Sequence, residues 1–380
     1  MKRQKLGILA LLSFACASAA FAADGLPAPG KLTIGSDVRV NVLLDAYYQY
    51  NFSKPPVATG TATASNPVTN PQITNRSYDR VHRQFNLNEA TVGFSHNANP
   101  VGFNVRLGTG TQMEVLNGSD STYRNVRDAN MTWADHGMSF TVGRFDSGFG
   151  LEGDDSVDNW NYSRSLSYTL LEPAFLTGVK GSYDLGGGLT VTIGGANGVN
   201  RFVDNNRGGT YTLQVVHSAK ETEMGMSYFT GPEQSLKSSD WRHHINVYGK
   251  HEYNSTTNVG FDATMLIGVN ETVSGTAGAP TKNAMRWAAG LYGNHSFWAD
   301  HWCAVRAEFL QDKQGAVFVD GGGTRMWSFT ATHRYMVTRN LSVWAEARWD
   351  NSNYGKFVNQ DGGTTKTNQV TALVAATFAI

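Results

Sequence analysis

Between Val38 and Phe52 the chain reads VRVNVLLDAYYQYNF, and its apolar and polar residues fall on opposite parities. Val40, Val42, Leu44, Ala46, Tyr48, Tyr50 and Phe52 share one parity; Arg39, Asn41, Asp45, Gln49 and Asn51 share the other. Successive side chains of a strand point to opposite faces, so this stretch predicts a ribbon with one apolar and one polar side. Tyr48, Tyr50 and Phe52 gather at one end, where such a ribbon would leave hydrocarbon for water and where amphipathic rings are favoured. A tilted strand of roughly 9–11 residues crosses a bilayer, and this one is long enough.

The same alternation recurs to the end of the chain. Phe85 and Leu87 are followed by Ala90, Val92 and Phe94, and the one-residue slip at Asn88-Glu89 predicts a β-bulge. Phe103, Val105 and Leu107 oppose Asn104 and Arg106; Ala129, Met131 and Trp133 lead through a short turn to Phe140 and Val142. Arg144 then lands on the apolar parity, which implies a bulge or the wet end of that strand. Later ribbons are marked by Met224, Met226 and Tyr228, by Trp287, Ala289 and Leu291, and by Val343, Ala345 and Ala347. Val370 to Ile380 closes the chain with alternate apolar residues.

Connections between these ribbons alternate long and short. Ser53 to Arg80, Thr111 to Asn125, Asp146 to Pro173, Ala196 to Gly209, Thr230 to Asp240, Asn270 to Lys282, Gln311 to Gly323 and Asn351 to Thr367 read as long loops. The turns between them are short, which is the asymmetry of an outer-membrane barrel with long extracellular loops and short periplasmic turns. The count is sixteen strands, with fourteen to eighteen compatible, in an all-β, antiparallel, up-and-down transmembrane barrel. A soluble β-sandwich would also alternate. Loop asymmetry, aromatic strand ends and the first residues of the chain favour the barrel. Hydrocarbon offers backbone groups no partners, so the first ribbon must pair with the last. About sixteen strands leave an aqueous lumen.

The chain opens with Lys2, Arg3 and Lys5, a short apolar run and Ala20-Phe21-Ala22, the pattern of a signal peptide cleaved after Ala22. Residues 23–380 are then a single barrel domain exported to the bacterial outer membrane. Without Met1 to Ala22 the chain carries 28 Lys+Arg against 31 Asp+Glu, a balance of −3 that argues against a nucleic-acid partner. Cys303 is the one cysteine that remains, so neither an intramolecular disulfide nor a zinc-cysteine cluster is available.

Candidate chemistry is confined to the lumen and the loops. Asp45, Arg106, Arg306, Glu308, Glu346 and Arg348 stand on the inward parity near strand centres and are pore-lining candidates. In the loop from Asp146 to Pro173, Asp154, Asp155 and Asp158 accompany Trp160, Tyr162 and Arg164. Folded into the lumen, it would set the three aspartates against Arg164 and the inward arginines across a constriction. The bland alternative is a solvated or structurally packed loop. The aspartates lack the ligand spacing of an EF-hand, His243 and His244 would face opposite sides, and neither H-E-x-x-H nor G-x-S-x-G occurs. Neither metal, cofactor nor catalytic residue is therefore assigned.

Several short runs recur in a known family: Asp45-Ala-Tyr-Tyr48, Phe85-Asn-Leu-Asn-Glu-Ala90, Pro100-Val-Gly-Phe103, Asp158-Asn-Trp-Asn-Tyr-Ser-Arg-Ser165, Thr177-Gly-Val179, Val203-Asp-Asn-Asn206, Gly231-Pro-Glu-Gln234 and Asp240-Trp-Arg242. On these the chain resembles the OmpL-like outer-membrane β-barrel porin family of Gram-negative bacteria, with the run from Asp158 to Ser165 the most specific. The resemblance implies a passive channel for small hydrophilic solutes. The partners that follow are outer-membrane lipid and lipopolysaccharide, and the insertion machinery that reads the last strand. Such barrels usually end in an aromatic residue; here Ile380 is last and Phe378 precedes it on the same face. The competing function is an adhesin or receptor that binds through its long loops.

Overall fold

The structure, a computed structural model, describes residues 32–34, 37–55, 73–118, 122–275, 280–319 and 322–380. The expected signal peptide, residues 1–22, lies outside the described residues. The wall starts with β1 (Val38–Asn51), β2 (Phe85–His96), β3 (Val101–Thr109), β4 (Val126–Asp135), β5 (Met138–Asp146) and β6 (Phe175–Gly186). It continues with β7 (Leu189–Val199), β8 (Thr210–Ser218), β9 (Thr222–Gln234), β10 (Lys237–Asn254) and β11 (Thr257–Glu271). β12 (Lys282–Trp298), β13 (His301–Asp312), β14 (Thr324–Met336), β15 (Leu341–Ser352) and β16 (Asn368–Ala379) complete it.

Each strand pairs antiparallel with its sequence neighbours, and β16 returns to β1 with Thr371 opposite Asn51 and Ala379 opposite Leu43. The sheet is a closed ring of sixteen strands, as the alternation requires. No backbone edge is left to face hydrocarbon. A three-residue strand, Leu32–Ile34, pairs with the start of β1. No helix among the described residues is long and apolar enough to cross a membrane; the spans are strands.

Side-chain exposure follows the predicted parity. Leu44, Phe140 and Leu291 are 47%, 55% and 68% exposed on the outer face, while Asp45, Glu89 and Arg306 on the inner face are 1%, 0% and 1% exposed. Apolar groups thus meet lipid, and charged ones meet the interior. A cation on the lipid face near midplane costs about 2–4 kcal/mol. Leu291→Arg, opposite Ala307 in the middle of β12 and β13, is expected to lose about that much in denaturant unfolding from liposomes. A loss below about 0.5 kcal/mol would mean that this wall does not face hydrocarbon.

The bulge is where the parity slips: Asp45 pairs with Glu89 and Ala46 with Leu87, leaving Asn88 as the extra residue. Arg144 is neither in a bulge, since β5 pairs with β4 and β6 in unbroken register, nor wet, since its side chain is buried near the loop end of the strand. Its guanidinium lies 3.9 Å from the Phe175 ring centroid and donates to Asn117 Oδ1 at 3.2 Å, covered by loop residues.

One predicted loop is overturned. Thr230 to Asp240 is a hairpin: β9 runs to Gln234, β10 starts at Lys237, and Gln234 pairs with Lys237. Pro232 suggested a loop because it cannot donate to a ladder. Here the register shifts between Pro232 and Gln234, which lets the strand absorb the proline. Two other loops hold helices, α1 (Thr111–Asn117) and α2 (Leu166–Leu171).

Candidate functional site

The segment between β5 and β6 enters the lumen. Its chain turns inward at Gly150, whose φ of +84° favours glycine and where a Cβ would collide with the Glu172 carboxylate. A 3₁₀ turn, Ser156–Asp158, and α2 follow, the latter capped by Ser165, whose hydroxyl accepts from Tyr168 N at 3.0 Å. Between them the run from Asn159 to Ser165 has little regular structure, and its backbone groups find partners on the barrel wall.

Those partners are the inward charges of β13 and β15. Glu346 accepts from Tyr162 N at 2.8 Å and from Ser163 N at 3.2 Å, and Glu308 accepts from Leu166 N at 2.5 Å. Arg306 donates to Glu308 and Glu152 at 2.7 Å each, and to the carbonyls of Ser163 at 2.7 Å and Arg164 at 3.1 Å. Arg348 donates to Asp350 at 2.8 Å and to the Arg164 carbonyl at 2.6 Å. A non-helical backbone inside the membrane thus has its polar groups answered by fixed charges.

The opposite flank is built from ion pairs. Arg127 Nη2 meets Asp154 at 2.6 Å and Asp155 at 3.3 Å, and Arg106 joins Asp128 at 3.0 Å and also pairs with Asp155. Burial pushes the Asp154 carboxyl up to about 6. Burial also works against an ionised Asp155, but Arg106 and Arg127 outweigh it and hold that carboxyl well below the usual range.

Each sequence-predicted residue has a definite place in this arrangement. Asp154 and Asp155 contact the inward arginines of β3 and β4 directly, whereas Arg164 folds back onto its own segment, donating to the carbonyls of Gly153 at 2.9 Å and Tyr162 at 2.5 Å. Asp158 ends the 3₁₀ turn half-buried, beside Val157, whose carbonyl accepts from Arg334 at 3.3 Å. Asp45 accepts from Tyr162 Oη at 2.8 Å, Ser156 Oγ at 2.7 Å and Asn88 Nδ2 at 2.9 Å, so the bulge presents its extra residue to the same site. Arg306, Glu308, Glu346 and Arg348 form the clamp, with Arg106 across the lumen from them.

Apolar packing reinforces the charges. Tyr162 sits with Tyr47, Trp344 and Leu373; Leu166 and Leu171 pack on Leu310, Met326 and Phe357; Phe149 meets Phe145 and Phe229. These clusters lie inside the barrel, between segment and wall. Burying each large apolar side chain contributes roughly 1.5–3 kcal/mol.

Sequence reasoning missed a second inserted segment, residues 73–83 of the first loop. Arg76 pairs with Asp79 at 3.2 Å and with Asp350 at 2.9 Å, Tyr78 and Tyr168 share a hydroxyl contact of 2.8 Å, and Ser77 donates to Thr169 at 2.8 Å. The charged and aromatic run Arg76-Ser-Tyr-Asp-Arg80 was the available signal, since a spacer needs neither. Arg127 was also missed, because it occupies a register shift where Arg106 pairs with Asp128 and Leu107 with Val126.

The inner wall is not covered evenly. Inward residues of β13 and β15 are buried under the segment, but Asn104, Asn130, Thr132, Thr141 and Ser182 on β3 to β6 keep part of their surface. Hydroxyl pairs line this side, Thr132 with Thr141 at 2.9 Å and Ser182 with Thr192 at 2.8 Å. Among the described residues no group of three or more His, Cys, Asp or Glu side chains is placed to hold a metal ion.

Solved structures share this architecture. OmpT of Vibrio cholerae superposes with a TM-score of 0.58 at 12% identity, covering 92% of this chain and 100% of that one. An anion-selective porin from Comamonas acidovorans gives 0.56 at 8% identity over 90% of this chain and 99% of the other. The outer membrane channel DcaP of Acinetobacter baumannii gives 0.56 at 10% identity over 93% and 100%. At these identities the likeness is one of fold. No curated protein matches the sequence. The family described as "Putative beta-barrel porin-2, OmpL-like" matches residues 37–380, nearly the whole described chain. With its closed ring, its polar interior and that match, this chain belongs to the OmpL-like beta-barrel porin-2 family, a porin-type barrel of the outer membrane.

Proposed function

We propose that the barrel is a non-enzymatic channel for passive diffusion of small hydrophilic solutes, narrowed by the segment between β5 and β6. The observation that carries this reading is the uneven inner wall. One side is sealed by the clamped segment, while hydroxyl and amide groups on β3 to β6 retain exposed surface. A surface of that chemistry holds water and ions. Neighbours named as porins and as a channel support the same reading.

Arg106 stands at the boundary between the two sides, its side chain 21% exposed and its charge balanced by Asp128 and Asp155. Planar-bilayer recording of purified protein is expected to show stepwise conductance. In Asp154→Asn/Asp155→Asn, Arg106 and Arg127 lose acidic partners, so permeability is expected to shift severalfold toward anions, read as the reversal potential in a salt gradient. Unchanged selectivity would remove these residues from the permeation path. Absence of any conductance step would sink the channel reading and leave surface binding through the loops.

A further inference from the structure

Over β13 and β15 the inserted segment meets arginines; over β11 it meets a carboxyl group that has none. Asp262 and Thr264 stand two residues apart on the inward parity of β11, with Asn246 of β10 opposite Thr264. α2 lies over them, with Ser167 in its first turn and Glu172 as its C-cap. Asp262, Thr264, Asn246 and Ser167 are buried, and so is the Oε2 atom of Glu172. Among the described residues neither carboxyl group forms an ion pair. Arg306 is committed to Glu152 and Glu308 at 2.7 Å each, and Arg286 to Glu271 at 3.5 Å.

Four oxygens form a ring between helix and wall. Ser167 Oγ lies against Glu172 Oε1 and 3.2 Å from Asp262 Oδ1. Thr264 Oγ1 lies 3.1 Å from Glu172 Oε1 and 3.2 Å from Asp262 Oδ1. Four contacts need four protons, yet each hydroxyl brings one and an ionised carboxylate brings none. Asp262 is the charged member, because its Oδ2 accepts from Asn246 Nδ2 at 2.9 Å and from Leu151 N at 3.0 Å. Glu172 Oε2 has no donor among the described residues and lies over Gly150, where a Cβ would collide with it. An ionised oxygen buried in that way is costly. A protonated Oε1 instead donates into the ring and leaves Oε2 a neutral carbonyl. Burial and the nearby Asp262 and Glu152 carboxylates push the Glu172 carboxyl well above its ordinary value.

We propose that Glu172 is a neutral carboxylic acid whose proton fastens α2 to β11, which makes it a positioning residue for the segment that narrows the lumen. This rests on the channel reading above and adds a second fastening, chemically unlike the Arg306 clamp. The other titratable groups packed on α2 are His244 of β10, Tyr292 of β12, and Arg306 and Glu308 of β13. His244 donates from Nδ1 to the Leu171 carbonyl at 3.2 Å, and Tyr292 stands edge-on to Trp160. The seated segment binds a proton that the released segment gives up. The seat is therefore firmest below the ordinary glutamate value of ~4.3 and loosens as pH rises through the raised one. Between those values each pH unit shifts the seating equilibrium by up to about tenfold toward release.

Difference infrared spectroscopy and planar-bilayer recording of the whole protein test the proposal. At about pH 7, wild type is expected to show a protonated-carboxyl C=O band that Glu172→Gln lacks. Above that pH Asp154, with its value of about 6, has ionised, so the remaining slope reports Glu172. There the wide state of wild type should gain occupancy by up to about tenfold per pH unit. Glu172→Ala is expected to favour the wide state at every pH. Glu172→Gln keeps a neutral donor and acceptor in place and is expected to restore the narrow state with a flat pH profile. A contact with no proton at stake would leave the slope of Glu172→Gln equal to that of wild type; that result, or a missing band, would overturn the assignment. Loss of all conductance steps would sink the channel reading instead, and the infrared band would still decide the protonation of Glu172.

Discussion

Arg306→Ala is expected to open the lumen. This guanidinium ties together four acceptors from three parts of the chain: Glu308 on its own strand, Glu152 at the segment's entry, and the Ser163 and Arg164 carbonyls at its centre. Its removal leaves the buried Glu152 carboxylate without its cation and Glu308 with only Arg348, at 3.9 Å, and breaking a buried pair in this way costs about 3–5 kcal/mol. The cost falls on the segment rather than on the barrel, because the ring of strands is held by its own ladder and the segment opens as a local unit. Single-channel conductance should rise severalfold and become noisy as residues 152–165 leave their seat. Arg306→Ala combined with Glu152→Gln and Glu308→Gln separates charge from packing. Neutralising the stranded carboxylates should restore much of the quiet, narrow state, since the apolar contacts of Tyr162, Leu166 and Leu171 remain. Wild-type conductance in Arg306→Ala would mean that those contacts alone hold the segment.

Truncation after Asn368 is expected to abolish the folded barrel altogether. β16 pairs with β15 from Asn351–Asn368 to Leu341–Phe378 and with β1 from Asn51–Thr371 to Leu43–Ala379. Without it two strands would present unpaired N–H and C=O groups to hydrocarbon, each unsatisfied group costing several kcal/mol. No rearrangement of the remaining strands restores an even, closed ring. The measurement is the heat-dependent gel shift of a folded barrel, together with recovery in the outer-membrane fraction; a persisting shift in the truncated chain would sink the idea. The terminal residue itself has a structural part, because Ile380 and Val42 exchange backbone hydrogen bonds of 3.0 and 3.2 Å.

The strand pattern was legible because it is local. Period-two alternation places Leu44 outside and Asp45 inside from nothing more than chain geometry, and the slip at Asn88 is visible in the same pattern. Closure follows as well, since hydrocarbon tolerates no open edge. The hairpin at Pro232 escaped because proline weighs against a strand unless a register shift accommodates it, and that shift depends on the partner strand.

The contents of the lumen were another matter. The sequence singled out the acidic and aromatic loop from Asp146 to Pro173 and the inward charges near strand centres, but not which of them meet. Tyr162 and Glu346 are 184 residues apart, and Ser163 and Arg306 are 143 apart. No periodicity connects such positions. Which side of the ring the segment lies against, and that residues 73–83 enter beside it, were decided by the wall's shape and charge once the ring had closed. Local alternation specifies the two faces of the wall because neighbouring residues carry the information. The filling of the interior rests on buried ion pairs and backbone groups from distant segments, which acquire a common environment only in the assembled barrel.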